Sequence, residues 1–210
     1  MNKNEPLPPL EITGNSALVG RPASGICGAR NASEKALVIA RRAAEVVAEC
    51  GFGLVTGDAR GVDTEAEIGT LSHDGGGALV LSTGIGNWKP RVAIRPSVTQ
   101  DNLVAVSQFP TNAGWAVHHS MKRNEVIIGL SEALLVVEVG ENGGTMDAGL
   151  KCLRYDKPLL VVRTSEPTTP GNLELIRRGG TPVASMNELR ERLEEIRDDR
   201  FRSGQGSLAM

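Results

Sequence analysis

The stretch Gly53-Leu54-Val55-Thr56-Gly57-Asp58-Ala59-Arg60-Gly61-Val62-Asp63 does most to limit what this chain can fold into. Its apolar start is too short for a helix and reads as a buried strand. Gly57 and Gly61 then let the backbone turn sharply and approach a ligand closely. Asp63 is a good N-cap for a helix running from Thr64 to Leu71. A strand, a glycine-rich turn and a helix start form an anion-binding corner, because free backbone N–H groups and the positive helix end converge. Arg60 adds a fork of donors suited to phosphate. The competing reading is an ordinary strand-to-helix turn carrying a solvated arginine, and this stretch alone does not separate the two.

The rest of the chain repeats the alternation. Ser24–Cys27 reads as a strand, and Ser33 as the N-cap of a helix reaching Cys50, with Glu34 where the helix dipole favours it. Ala36, Ile39, Ala40, Ala43, Val46 and Val47 share one face of that helix, and Gly51 ends it. Further strands are expected at 78–82, 103–107, 133–139, 159–162 and 181–184. Helices are expected at 115–130, 146–155, 172–178 and 187–200. Strands alternating with helices imply an α/β fold, a mostly parallel sheet covered on both faces. With 210 residues, one domain over 10–198 is expected, with flexible tails at 1–9 and 203–210. In such sheets ligands sit outside the carboxyl ends of the strands. Four loops there combine glycine with polar groups: 28–33, 57–63, 83–91 and 140–145.

A net charge of −2 gives no global attraction for nucleic acid, so such a role needs a local cluster of cations. Arg30 and Arg60 follow consecutive strands at equivalent points, and Lys122, Arg123, Lys89 and Arg91 are available to complete a basic mouth. Surface salt bridges of little consequence are the alternative. Cys27, Cys50 and Cys152 have no zinc-like spacing and read as reduced, buried thiols. No apolar leader or membrane-spanning run is present in the sequence, so a cytoplasmic protein without membrane contact is expected. The dinucleotide fingerprint, the P-loop and the serine-hydrolase elbow are all missing. His118 and His119, about 100° apart on a helix, do not make a joint metal site. Asp58 and Asp63 are explained more simply by turns and capping than by acid–base work. No catalytic residue, metal or cofactor is therefore expected.

Four motifs in one order carry a resemblance. Gly28-Ala29-Arg30-Asn31-Ala32-Ser33 resembles a Gly-Ser-Arg-x-x-Ser loop, and Thr56 to Asp63 resembles Ser-Gly-x-Ala-x-Gly-Ile-Asp. Arg123-Asn124 with Ile127-Ile128-Gly129-Leu130-Ser131 resembles an Arg-Asn-Arg-Ile-Ile-x-x-Leu-Ser helix. Glu138 to Thr145 resembles a Val-Glu-x-x-x-x-Ser-Gly-Ser/Thr turn. These are the motifs of the DprA/Smf family of DNA-processing proteins, which the chain resembles from about Leu10 to Arg197. The resemblance implies an extended Rossmann-like core and a homodimer. It implies single-stranded DNA held in a basic pocket and delivered to a RecA-type recombinase. The binding residues it implies here are Gly28, Arg30, Ser33, Gly57, Arg60, Gly61, Lys122, Arg123, Gly143, Gly144 and Thr145. Trp88 and Phe109 are the aromatics near these loops, with packing preferred over base stacking for each.

This chain departs from the family pattern at Asp58, an anion that would oppose phosphate, and at Glu125, which replaces a second arginine. Glu67 stands where the family has histidine. The length leaves no room for the helical N-terminal module or the winged helix of many relatives, so a stripped-down and less basic core is expected. The alternative is a nucleotide-binding sensor or a phosphoribohydrolase-like enzyme of the same superfamily. Against hydrolysis, the catalytic glutamate of those enzymes corresponds to Ala148, with Asp147 on a different helical face. A nucleotide remains the competing ligand.

Overall fold

The computed structural model describes residues 6–206 apart from Asp74, Asn87 and 165–167. Its strands are β1 (Glu11–Gly14), β2 (Ala23–Cys27), β3 (Gly53–Thr56), β4 (Gly77–Val80), β5 (Leu103–Ser107), β6 (Ala133–Val136), β7 (Leu159–Val162) and β8 (Thr181–Val183). The helices are α1 (Glu34–Glu49), α2 (Val62–Leu71), α3 (Val117–Leu130), α4 (Gly144–Arg154), α5 (Pro170–Arg177) and α6 (Met186–Gly206). The strands form one eight-stranded sheet in the order β1-β5-β4-β3-β2-β6-β7-β8. All neighbours are parallel except β1, which runs antiparallel to β5. This is the expected Rossmann-like sheet.

Successive strand residues point to opposite faces, and both faces are apolar because both are covered. Ile26, Leu54, Leu135 and Leu160 pack under α1, α2 and α6. Cys27, Val55, Leu134, Val136 and Val161 pack under α3, α4 and α5. Ala36, Ala40, Ala43 and Ala44 of α1 are all buried, and a Cβ on Gly69 of α2 would stand 2.3 Å from the Arg41 carbonyl oxygen. Small side chains thus let these two helices lie close together, and the core is filled with few aromatics. Between β4 and β5 there is no α-helix among the described residues. The connection after β4 folds back instead, seating Ile94, with Ile85, Trp88 and Val98, on Leu79, Leu81 and Ala105.

Several element boundaries differ from expectation, among them the start of α3 at Val117 rather than Trp115. α4 begins at Gly144 rather than Met146, because Gly143 takes φ +111 and turns the chain straight into the helix. β6 ends at Val136, which frees 137–143 to form a loop. At the chain ends, α6 continues to Gly206, past the point where a tail was expected, and 207–210 lie outside the described residues. Of the N-terminal arm, 1–5 lie outside the described residues, while Leu7 packs on the core beside Gly129 of α3.

Because β2 pairs with β3 on one side and β6 on the other, strand order reverses between β2 and β6. The crevice outside the carboxyl ends of these strands is where such a sheet accepts ligands.

Candidate functional site

A cleft of about 360 Å³ occupies that crevice. Gly28, Ala29 and Arg30 line it from the loop after β2, and Val139 and Gly140 from the loop after β6. Gly144, Thr145 and Ala148 of α4 and Met121, Arg123 and Asn124 of α3 complete it, with Trp115 at its mouth. The loops are fastened to one another. Thr145 Oγ1 donates to the Gly28 carbonyl at 3.0 Å, and Asn124 Nδ2 donates to the Gly144 carbonyl at 2.9 Å. Buried Asn172 holds the loop after β6, donating to the Val137 and Val162 carbonyls and accepting from Val139 N. The first intrahelical bond of α4 runs from Asp147 N to Gly143 O. The N–H groups of Gly144, Thr145 and Met146 therefore have no partner within the helix, and the positive helix end faces the cleft wall.

Arg123 is the fixed cation of the site. Its guanidinium lies flat against Gly57, where a Cβ would come within 1.8 Å of it. It stands 3.9 Å from Asp63 and donates to Asn124 Oδ1 at 3.2 Å. Burial lowers the pKa of Arg123 and raises that of Asp63, and each charge partly offsets the burial of the other.

The expectation for the 57–63 turn needs correcting. Asp63 does not cap α2; Gly61 does, at φ +80, where a side chain would strike the Ala29 carbonyl oxygen. The Asp63 carboxylate instead turns back and accepts from Gly57 N at 3.1 Å and Ala59 N at 3.3 Å. Two of the turn's N–H groups, those of Gly57 and Ala59, are thus filled by the chain's own anion. The helix start that lines the larger cleft is that of α4.

Beside the cleft lies a second basin of about 150 Å³, bounded by Arg30, Gly57, Asp58, Arg60, Arg91, Trp115 and Arg123. Asp58, at φ +49, accepts from Trp88 Nε1 at 2.9 Å and from Arg91 Nε at 2.8 Å. Arg91 also donates to the Asp58 carbonyl. Burial pushes the Asp58 pKa up, while Arg91 and Trp88 pull it down. The acid expected to oppose phosphate is therefore matched internally, and Trp88 is committed to it. Arg30 and Arg60 are exposed and form no ion pair among the described residues.

Arg30, Arg60 and Arg123 thus meet across two adjoining cavities, together with Gly28, Gly57, Gly144 and Thr145. Gly61 and Gly143 shape the backbone behind them. Ser33 and Lys122 do not join them. The Ser33 hydroxyl accepts from Ala36 N at 3.2 Å and donates to Glu138 Oε2 at 2.7 Å, so it caps α1 away from the cleft. Lys122 is exposed on α3 and lines neither cavity. Glu125 faces Lys151 at 3.4 Å, which also holds Asp147 at 3.0 Å. Phe109 is buried and stacks on His119 with centroids 4.0 Å apart. The aromatic that sequence reasoning missed is Trp115, 55% exposed, with the Arg30 guanidinium over its ring at 5.8 Å.

The cysteines are buried and unpaired. Burial raises the Cys27 thiol and pushes Cys152 up to about 12. Among the described residues no group of three or more His, Cys, Asp or Glu is placed to hold a metal ion. No described helix is long and apolar enough to cross a membrane.

The fold is shared with DNA processing protein A of Streptococcus pneumoniae, at a TM-score of 0.77 and 22% identity over 86% of this chain and 64% of that one. It is shared too with DNA processing protein A of Helicobacter pylori, solved for its single-stranded DNA binding mode, at a TM-score of 0.78 and 19% identity over 93% of this chain and 99% of that one. Protein Smf of Escherichia coli is 27% identical over 154 residues, which are 71% of this chain and 41% of Smf. The chain thus spans about two fifths of that relative's length. Residues 2–194 match the sequence model of DNA recombination-mediator protein A, and the chain belongs to that family.

Proposed function

We propose that the chain binds single-stranded DNA during DNA processing, holding the phosphate backbone at the β2/β6 crevice without altering it. The observation that carries this is the meeting of Arg30 and Arg60, which form no ion pair among the described residues, with Arg123 and the N-terminus of α4 at one rim of the sheet. Guanidinium forks and free N–H groups both suit phosphate oxygens. Arg123 is held by Gly57, Asp63 and Asn124 and supplies a fixed centre of charge, while Arg30 and Arg60 are exposed at the surface where a strand would pass. The proposal extends to a homodimer that presents the strand to a RecA-type recombinase, as the family resemblance implies.

A nucleotide is the second ligand the cleft could hold, since about 360 Å³ lies in the range of small-molecule sites. Hydrolysis of such a ligand lacks its acid: Ala148 lines the cleft, and Asp147 is paired with Lys151.

The test is a salt titration of binding to single-stranded and double-stranded oligonucleotides, with a nucleoside monophosphate as competitor. Single-stranded DNA should bind more tightly, with affinity falling as salt rises through counterion release. Arg30→Ala with Arg60→Ala should abolish most of the salt dependence, which for two phosphate contacts is a slope of about −1.4. Wild-type binding in that double variant refutes the pocket. Full displacement by the monophosphate, with base release absent, turns the reading to a nucleotide sensor.

A further inference from the structure

The smaller basin, of about 150 Å³, lies one strand over from the crevice, outside the carboxyl ends of β3 and β4. It shares Arg30, Trp115 and Arg123 with the cleft. Asp58 and Arg60 from the turn after β3, and Ser82 and Arg91 from the connection after β4, line the basin alone. Trp88 and Arg91 fasten that connection to Asp58, so the basin is walled on the side away from the cleft. Its charges divide into matched and unmatched. Asp58 is paired with Arg91 at 2.8 Å, and Arg123 faces Asp63 at 3.9 Å. Arg30 and Arg60 are exposed and have no ion pair among the described residues, which leaves two unmatched positive charges around the basin.

We propose that this basin is a phosphate monoester site which takes the phosphorylated end of a DNA strand, giving the protein a preference for such ends. The inference rests on the DNA reading given under Proposed function. An internal phosphodiester carries one negative charge and is flanked by sugars on both sides. A terminal phosphate carries close to two charges near pH 7, on three free oxygens. Two unmatched guanidinium groups balance that charge, and their forked N–H donors suit those oxygens. Size points the same way. A volume of about 150 Å³ is below the roughly 300–1,000 Å³ that holds a whole small molecule, so a phosphate group fits and a nucleoside does not. The wall made by Asp58 and Arg91 gives a passing strand no exit, whereas an end needs none. Asp58, the acid that departs from the family pattern, anchors that wall through Arg91 and Trp88. The rest of the strand leads back past the shared residues into the cleft.

The experiment uses the whole chain and three short, internally labelled oligothymidylates of one length, ending in a 5′-phosphate, a 3′-phosphate, or hydroxyls at both ends. One phosphorylated strand should bind about tenfold more tightly than the hydroxyl-ended one. Arg60→Ala, which removes an exposed side chain, should bring that ratio close to one. Lys89→Ala removes an exposed cation that lines neither cavity and should leave the ratio as in wild type. Inorganic phosphate, set against chloride at equal ionic strength, should weaken the phosphorylated strand more than the hydroxyl-ended one. The end site is overturned if wild type binds all three strands equally, or if Lys89→Ala lowers the ratio as far as Arg60→Ala does. In either case tight binding of the hydroxyl-ended strand would leave the DNA reading standing. Wild type that binds no strand would bring down the DNA reading itself, and the end site with it.

Discussion

Replacing Arg123 with methionine should both destabilise the fold and steepen its loss of stability as pH rises. Asp63 is 3% exposed and Arg123 6%, so removing the cation leaves a buried carboxylate without a counter-charge. Breaking a buried pair from one side costs about 3–5 kcal/mol. The separation of 3.9 Å and the two N–H groups that Asp63 keeps from Gly57 and Ala59 place this pair at the lower end, about 3 kcal/mol. For a chain of this size that corresponds to a fall in Tm of roughly 6–12 °C. Burial already raises the Asp63 pKa, and loss of Arg123 raises it further. The folded state then keeps a proton that the unfolded chain releases above about pH 4, so stability falls as pH rises from there to the folded pKa. Urea melts should show a larger deficit at pH 7.5 than at pH 5. Arg123→Met with Asp63→Asn should recover most of the loss. A deficit under about 0.5 kcal/mol, or one independent of pH, would mean that these two groups do not stabilise one another as an ion pair.

Glu67 is 1% exposed, accepts from Thr56 Oγ1 at 2.8 Å, and burial pushes its carboxyl well above the usual range. Wild-type stability should therefore fall by up to about 1.4 kcal/mol per pH unit above roughly pH 4.3, and Glu67→Gln should remove that slope; parallel curves for the two proteins would contradict this. Arg91→Ala releases Asp58 as an unmatched anion beside Arg60, so single-stranded DNA affinity should drop in fluorescence polarisation and return in Arg91→Ala with Asp58→Asn. If the double variant stays as weak as the single one, Arg91 contacts DNA itself. Gly57→Ala places a methyl 1.8 Å from the Arg123 guanidinium and should drive it into the cleft, lowering DNA affinity while circular dichroism shows the fold retained.

The sheet was legible because its strands are apolar on both faces and its helices are not, a contrast that survives in a single sequence. Ser33 was readable as a cap for the same local reason: its hydroxyl meets Ala36 N within one turn. What escaped depends on distant partners. Asp63 turned toward the loop rather than the helix because Gly57, Ala59 and Arg123 offered more than a cap would. Asp58 looked like a defect in a phosphate site until Arg91, on a loop without regular structure, folded over to meet it. Lys122, expected beside Arg123, lines neither cavity. Met121, Arg123 and Asn124 of α3 line the cleft, and Lys122 between them is exposed on the side of the helix that turns away from it. Trp115 was absorbed into the expected helix 115–130. The helix begins at Val117, and the residues before it, Gly114-Trp115-Ala116, carried the only hint, an aromatic between two small residues that cannot bury it.

The decisive observation is where a strand lies on the protein. Amide resonances of the isotopically labelled chain, followed during titration with oligothymidylate, should move at Ala29, Arg30, Arg60, Gly144, Thr145 and Met146, along with the Trp115 indole N–H. Shifts confined to α6, to the β1 edge or to the underside of the sheet, with the α4 N-terminus undisturbed, would contradict binding at the β2/β6 crevice.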